Sequence, residues 1–303
     1  ILFATLRGLG GVLTIWLISP TIEAFFLSQI AAAFGQMAVF TWAYRKTMPL
    51  GNRRPRFDTG VIRHLAGFSG GVWTIYLLGI PLGFADKVIL SKLIPLDVFG
   101  YYTLACSIGG SLGVISTPMF SAVFPRLSRL VAEDDEDAVR EIYHRSGQIV
   151  AVILSSVAVT FIFFAPELLY AWVGRADVVE TVALPLRILT IGYLCNALFQ
   201  MPMALQLSHG WTKLGVWTNV ASVIFLVPLC YFLSLRFGVT GAAISWVIMN
   251  LILVFVAAPI MHRKFLKGDY WLWLLRDTAL PLAAAVVTGL VWRYFLPHLS
   301  SRI

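Results

Sequence analysis

Charge is what this sequence has least of. Only 13% of its 303 residues are Asp, Glu, Lys or Arg, against about a quarter in soluble globular chains. No polar stretch is long enough to form a separate soluble domain. Cysteine is scarce too: Cys106, Cys195 and Cys230 all lie inside apolar runs, with no paired spacing. They read as small buried hydrophobes, not as a metal or disulfide framework. Catalytic signatures are missing: there is no Walker sequence, no G-x-S-x-G and no H-E-x-x-H. The histidines (His64, His144, His209, His262, His298) fall in loops or at the ends of apolar runs. A membrane transferase would have little besides Glu167 and Asp177, beside AWVGRADVVE, to work with. We expect no enzyme and no cofactor.

What is present is hydrocarbon. Apolar residues make up 59% of the chain, and the mean hydropathy is +0.83. Runs of about twenty apolar residues, enough to cross a bilayer as a helix, recur from end to end. The predicted fold is all-α: a polytopic membrane helix bundle of about nine transmembrane helices. The spans cover roughly residues 1–18, 20–44, 63–93, 98–123, 148–173, 181–207, 214–235, 239–261 and 271–295. Two loops stand out, the basic KTMPLGNRRPRF and the longer FPRLSRLVAEDDEDAVREIYHRS, whose acidic run is expected at a solvated helical hairpin tip.

The net charge of +8 does not suggest nucleic acid, because the basic residues are spread over short loops instead of one face. Loops after the second, fourth, sixth and eighth spans hold fourteen Lys and Arg, and the loops and tail on the other side hold four. Positive loops stay in the cytoplasm, so the amino end starts there and the carboxyl tail ends outside.

Ionisable residues inside spans are costly and usually face a bundle interior or a watery cavity. Arg7, Glu23, Asp86, Lys87 and Arg187 are such residues. Gly79, Gly83, Lys87 and Ser91 recur every four residues and share one helix stripe. Asp86 lies about 100° around from it. Two readings stay open for Asp86 and Lys87. They border a cavity, or they snorkel to the interface as an exposed anchor worth about 0–1 kcal/mol. Gln29 on the second span, Asn196 and Gln200 on the sixth, and Asn219 on the seventh add polar groups on different helices. Together they favour a polar lumen. Glycine pairs four apart, such as Gly109 and Gly113, suit close helix packing.

The segments PTIEAFFLSQ, ADKVILSKLIPLDVFGYYTLA, MFSAVFPRLSRL and APELLYAWVG occur in an order that resembles the oligosaccharide flippases of the multidrug/oligosaccharidyl-lipid/polysaccharide exporter superfamily. The resemblance implies two six-helix lobes around a central cavity. Residues 1–48 would then be the last two helices of the first lobe and 49–62 a cytoplasmic basic linker. Residues 63–266 would be the second lobe and 267–303 an additional transmembrane helix. About four further spans are expected upstream by lobe symmetry. The implied cargo is a polyprenyl-pyrophosphate-linked oligosaccharide in a bacterial inner membrane. A proton or sodium gradient would drive it, with other polysaccharide-assembly membrane proteins as partners. The alternatives are a cation-coupled drug exporter of the same superfamily and a membrane-embedded glycosyltransferase or polymerase.

The charge alternation makes a direct prediction. Cysteines placed at Arg54 or Lys264 should be protected from an impermeant thiol reagent in intact cells, and cysteines at Arg175 or Arg236 should react. Labelling of the first pair from outside would invert the topology.

Overall fold

The computed structural model describes residues 2–47 and 59–295. Helices account for nearly all of these residues, and no strand occurs among them. The contacts divide the chain into two units, meeting at Thr59 and Gly60. The basic linker expected at 49–62 lies mostly outside the described residues.

The first unit is a helical hairpin of α1 (Leu2–Leu17) and α2 (Ile22–Thr47). Proline cannot continue a helix from its own amide, and the chain turns at Ser19-Pro20. The Thr21 hydroxyl then caps α2 by accepting the Ala24 amide at 3.3 Å. Gly11 lets the two helices approach, since a Cβ there would stand 2.9 Å from the Phe25 ring. No residue of α2 is buried. A helix so apolar and so uncovered suits hydrocarbon surroundings.

The second unit begins with α3 (Thr59–Leu93), helical straight through Pro81, and α4 (Leu96–Ala132). The long loop expected between the fourth and fifth spans shrinks to a tight turn. α4 runs on to Ala132 and α5 (Glu136–Phe163) starts after only three intervening residues. The acidic run forms that turn: Asp134 takes a positive φ of 59°, and Asp135 accepts the Ala138 amide at 3.0 Å as N-cap. Acidic side chains at a helix N-terminus are favoured by the helix dipole, and the run sits at the helical hairpin tip expected for it. The expected fifth span is also broken. It divides at Phe164 into α5 and the short α6 (Ala165–Val173), which has Pro166 in its first turn and Gly174 in the left-handed region at its end.

α7 (Ala176–Ser208) is the most enclosed helix and packs against α4, α5 and α8. α8 (Lys213–Ile252) is two limbs, not one rod. Gly238 has φ 55° and ψ −132°, a conformation open to glycine and strained for other residues. Around it the chain folds back on itself. Leu226 and Cys230 share a small cavity lining with Met249 and Ser245, and a Cβ on Gly241 would collide with the Leu233 carbonyl. These limbs are the expected seventh and eighth spans.

A π-helical run at Leu253–Ala257 leads into α9 (Ala258–Phe265), and a turn at Lys267-Gly268 opens the ninth span. That span is α10 (Asp269–Trp271), a second π-helical run at Leu272–Ala279, and α11 (Leu280–Phe295). Among the described residues, seven helical stretches are long and apolar enough to cross a membrane. The stretch over Lys213–Phe265 folds back at Gly238 into two limbs, which with the shorter apolar α1 correspond to the nine segments expected.

Two apolar clusters hold the second unit together. One gathers Leu112, Leu127, Tyr143, Leu154, Met201, Leu205 and Trp273. The other gathers Leu90, Tyr102, Leu169, Leu186, Leu189 and Ala242. Large side chains such as Trp73, Trp217, Phe225 and Phe232 stay exposed. Apolar surface on this scale marks a face that meets lipid or another protein.

Gly241 is the sharpest test of the returning α8 limb. Gly241→Ala should destabilise the chain by about 1–3 kcal/mol through overpacking against backbone that cannot rotate away. Thermal unfolding in detergent checks this. An unchanged midpoint would mean that the limbs are not in contact there.

Candidate functional site

The polar residues of the second unit converge on a cavity of about 190 Å³ between α3, α7 and the two limbs of α8. Gly79 and Gly83 present the stripe of α3, and Asn196, Gln200 and Met203 present one face of α7. Thr218 and Asn219 close it from the first limb, Trp246 and Met249 from the second. Each contribution follows helical spacing: residues three or four apart face one way, so short polar stripes on several helices can share a lumen.

Several of these polar groups also hold the walls in place. Asn219 donates to the Ile75 carbonyl at 2.9 Å and ties α8 to α3. Asn196 donates to Asn250 at 2.8 Å, and Asn250 donates in turn to the Trp246 carbonyl at 2.8 Å. The Trp246 indole N–H is buried and has no hydrogen-bond partner among the described residues. A buried indole donor normally finds one; this one lies against Gly192 of α7, where a Cβ would stand 3.2 Å from Nε1.

Asp86 and Lys87 part company at the cavity's edge. Asp86 is 8% exposed and turns toward α4, where the Tyr102 hydroxyl donates to it at 2.7 Å and the Cys106 thiol lies at 3.9 Å. Lys87 reaches back over its own helix. Its Nζ lies 3.4 Å from Asp86, 3.4 Å from the carbonyl of cavity-lining Gly83, and 5.7 Å from the centre of the Phe84 ring. The reading of the two as an exposed anchor is therefore corrected for Asp86, which is buried. Burial takes the carboxylate out of water, and its stability now depends on Tyr102 and Lys87.

The other sequence candidates lie elsewhere. Arg187 donates to the Ile162 carbonyl at 3.0 Å and so serves the C-terminal end of α5, where a cation is favoured. Arg7 and Gln29 are brought together within the first unit. Arg7 Nε donates to the Gln29 side chain at 3.2 Å, and Gln29 donates back to the Arg7 carbonyl at 3.2 Å. Glu23 is exposed in the first turn of α2. Glu167 and Asp177 pair with Arg293 and Arg175. No group of three or more His, Cys, Asp or Glu among the described residues could hold a metal.

Two histidines expected at span ends are in fact interior. His144 is buried within α5 and His262 within α9. Asp277, in the ninth span, is fully buried beside His144. The sequence signal for Asp277 was available, since a carboxylate within an apolar run needs a partner.

The class is thus a multi-pass helical membrane protein with a polar cavity inside one bundle. Its fold is shared with MATE proteins of known structure. The chain aligns with a MATE protein bearing a proline-to-alanine substitution at a TM-score of 0.62, 16% identity, over 87% of this chain and 61% of that one. It also aligns with an outward-facing multidrug resistance MATE transporter of the MOP superfamily at 0.54 and 17% identity, over 70% of this chain and 45% of that one. Residues 2–176, more than half of the chain, match the family described as polysaccharide biosynthesis protein, and the chain belongs to that family. A candidate O-antigen transporter of Shigella flexneri is 24% identical over 233 residues, 75% of this chain. The chain spans 55% of that relative's length.

Removing the Tyr102 hydroxyl tests the Asp86 environment. Tyr102→Phe should cost about 1–3 kcal/mol by leaving the buried carboxylate short of a donor, and Asp86→Asn should cost less by keeping a hydrogen bond. Detergent melts followed by tryptophan emission provide the comparison. A Tyr102→Phe midpoint equal to that of the parent would show that Asp86 is hydrated.

Proposed function

We propose that the protein is a flippase that moves a polyprenyl-pyrophosphate-linked oligosaccharide across a bacterial inner membrane by alternating access, for polysaccharide assembly. The observation that carries this reading is the shared cavity of Asn196, Gln200, Asn219 and Trp246, walled by glycines, one of which, Gly83, holds the Lys87 ammonium at its carbonyl. Amide and indole groups suit sugar hydroxyls, which need both donors and acceptors. A compact ammonium suits a phosphate without demanding a fixed angle. Family membership and the name of the Shigella flexneri relative point the same way.

In this reading the cavity belongs to one lobe and works against another, with residues 1–48 as the end of the first lobe. Residues 63–266 form the second lobe and 267–303 a further helix. Arg7, Glu23 and Gln29 serve the first lobe's side of the pathway. Asp86 keeps Lys87 charged or takes the coupling proton or sodium ion. The carboxyl tail faces the periplasm, and other polysaccharide-assembly membrane proteins receive the cargo. The MATE-like fold favours one second reading, a cation-coupled drug exporter.

Complementation of a flippase-null strain with the full gene product separates the two. Gln200→Leu and Lys87→Ala, at matched expression, should lower surface polysaccharide by about tenfold or more, the effect of losing roughly 1.4 kcal/mol of binding. Lys87→Arg should keep part of it. Normal polysaccharide from both disruptive variants would sink the flippase assignment to this cavity. Altered drug tolerance with unchanged polysaccharide would favour the exporter.

A further inference from the structure

The ninth span lies outside the six-helix arrangement and packs chiefly on α5. Its apolar part fits closely there, since a Cβ on Gly289 would press Val159 and Phe163. At the other end of the seam is a concentration of buried charge that the transport reading does not use. His144 is 5% exposed, and both its ring nitrogens meet carboxylates of the ninth span. Nδ1 meets Asp277 Oδ2, and Nε2 lies 3.3 Å from Asp269 Oδ2.

Other donors surround those carboxylates. Asp277 Oδ1 accepts from Gln148 Nε2 at 2.8 Å and from Arg276 Nε at 3.1 Å. Asp269 Oδ2 accepts from Arg140 Nε at 2.7 Å. Both acids accept from these donors, and His144 offers one ring nitrogen to each of them. The neighbouring His262 is arranged differently. Its Nδ1 donates to the Ala258 carbonyl at 2.7 Å, which leaves Nε2 to accept from the Tyr143 hydroxyl at 3.0 Å. That ring is neutral. Two buried histidines, whose rings both lie against Tyr143, thus differ in their partners: carboxylates for His144, a carbonyl and a hydroxyl for His262.

The backbone is also unusual here. Arg276 and Asp277 sit in the π-helical run Leu272–Ala279. Such widened turns are rare and gather at functional sites. This one puts Asp277 toward α5 at full burial, while the Arg276 side chain remains half exposed.

We infer that His144, Asp277 and Asp269 form a buried polar clamp, built around the Asp277 carboxylate, that fastens the ninth span to the lobe so that the two move as one body. A buried charge stripped of its partner is strongly unfavourable, whereas a neutral hydrogen-bonded pair at the same place is tolerated. The clamp therefore depends on charge matching rather than on shape alone.

The test uses the whole chain with a protease site inserted between Lys267 and Gly268, cut after purification in detergent. The released ninth span should stay with the lobe in the parent protein and in Thr288→Val. In Asp277→Asn, which keeps the shape but removes the charge, the retained fraction should fall by about tenfold or more. The double variant His144→Gln with Asp277→Asn should regain most of it, because a neutral amide pair then replaces the carboxylate and its imidazole partner. If Asp277→Asn fails to accumulate and the double variant accumulates with its ninth span retained, the conclusion is the same. Parent-like retention in Asp277→Asn overturns the clamp, as does a double variant that sheds the span or fails to accumulate.

Discussion

A polar side chain inside a bilayer has no water to turn to, so it must find its partner within the protein. That requirement decides where the helices of the second unit meet. Asn219 reaches the Ile75 carbonyl, Asn196 reaches Asn250, Tyr102 reaches Asp86, and His144 reaches Asp277. Each pair joins two different helices or limbs. The apolar clusters supply area, which is non-directional. The polar pairs supply registration, because a hydrogen bond fails within an ångström of misplacement. The few exceptions are informative: Trp246 Nε1, Ser155 Oγ and Glu167 Oε2 are buried without partners among the described residues. Of these, Trp246 lines the cavity.

Glycine and proline provide the complementary freedom. Gly238 turns the chain back in the middle of what composition alone would make one long rod. Gly241 and Gly289 allow backbone or side chains of a neighbouring helix to sit where a Cβ would be. Gly109 does the same for the Tyr193 ring, 2.7 Å from the Cβ position. Tyr193 in turn packs on Trp246, with ring centroids 5.2 Å apart. The small residues of α4 and the cavity wall are in this way one connected packing problem.

The cavity and the charged seam are different uses of the same chemistry. In the cavity, neutral amides and an indole are spread around an open volume, and little charge is buried there apart from Asp86 close by. At the seam, charges of both signs are packed until no volume remains between them. An open polar surface can exchange partners with a moving ligand, whereas a closed ionic cluster opposes relative motion. Under the proposed function, the first surface is where cargo passes and the second is where helices stay together.

Hydrophobicity and charge placement in the sequence by themselves determined the all-helical, multi-pass character, because a span of about twenty residues is a length requirement. The turn at Gly238 was legible too, since a Phe-Gly-Val break between apolar runs has few other uses. The polar stripes containing Gly79, Gly83, Asn196, Gln200 and Asn219 were legible as stripes, because helical spacing is local. Tertiary structure decided what each stripe meets. It placed Asp86 under Tyr102 while Lys87 turned to the Gly83 carbonyl, and it gave Arg187 to the end of α5. It also joined His144 to Asp277, 133 residues away. Spacing along one helix fixes a direction around its axis. Only packing fixes the neighbour in that direction, and the neighbour sets whether a polar group lines a cavity, caps a helix or closes an ion pair.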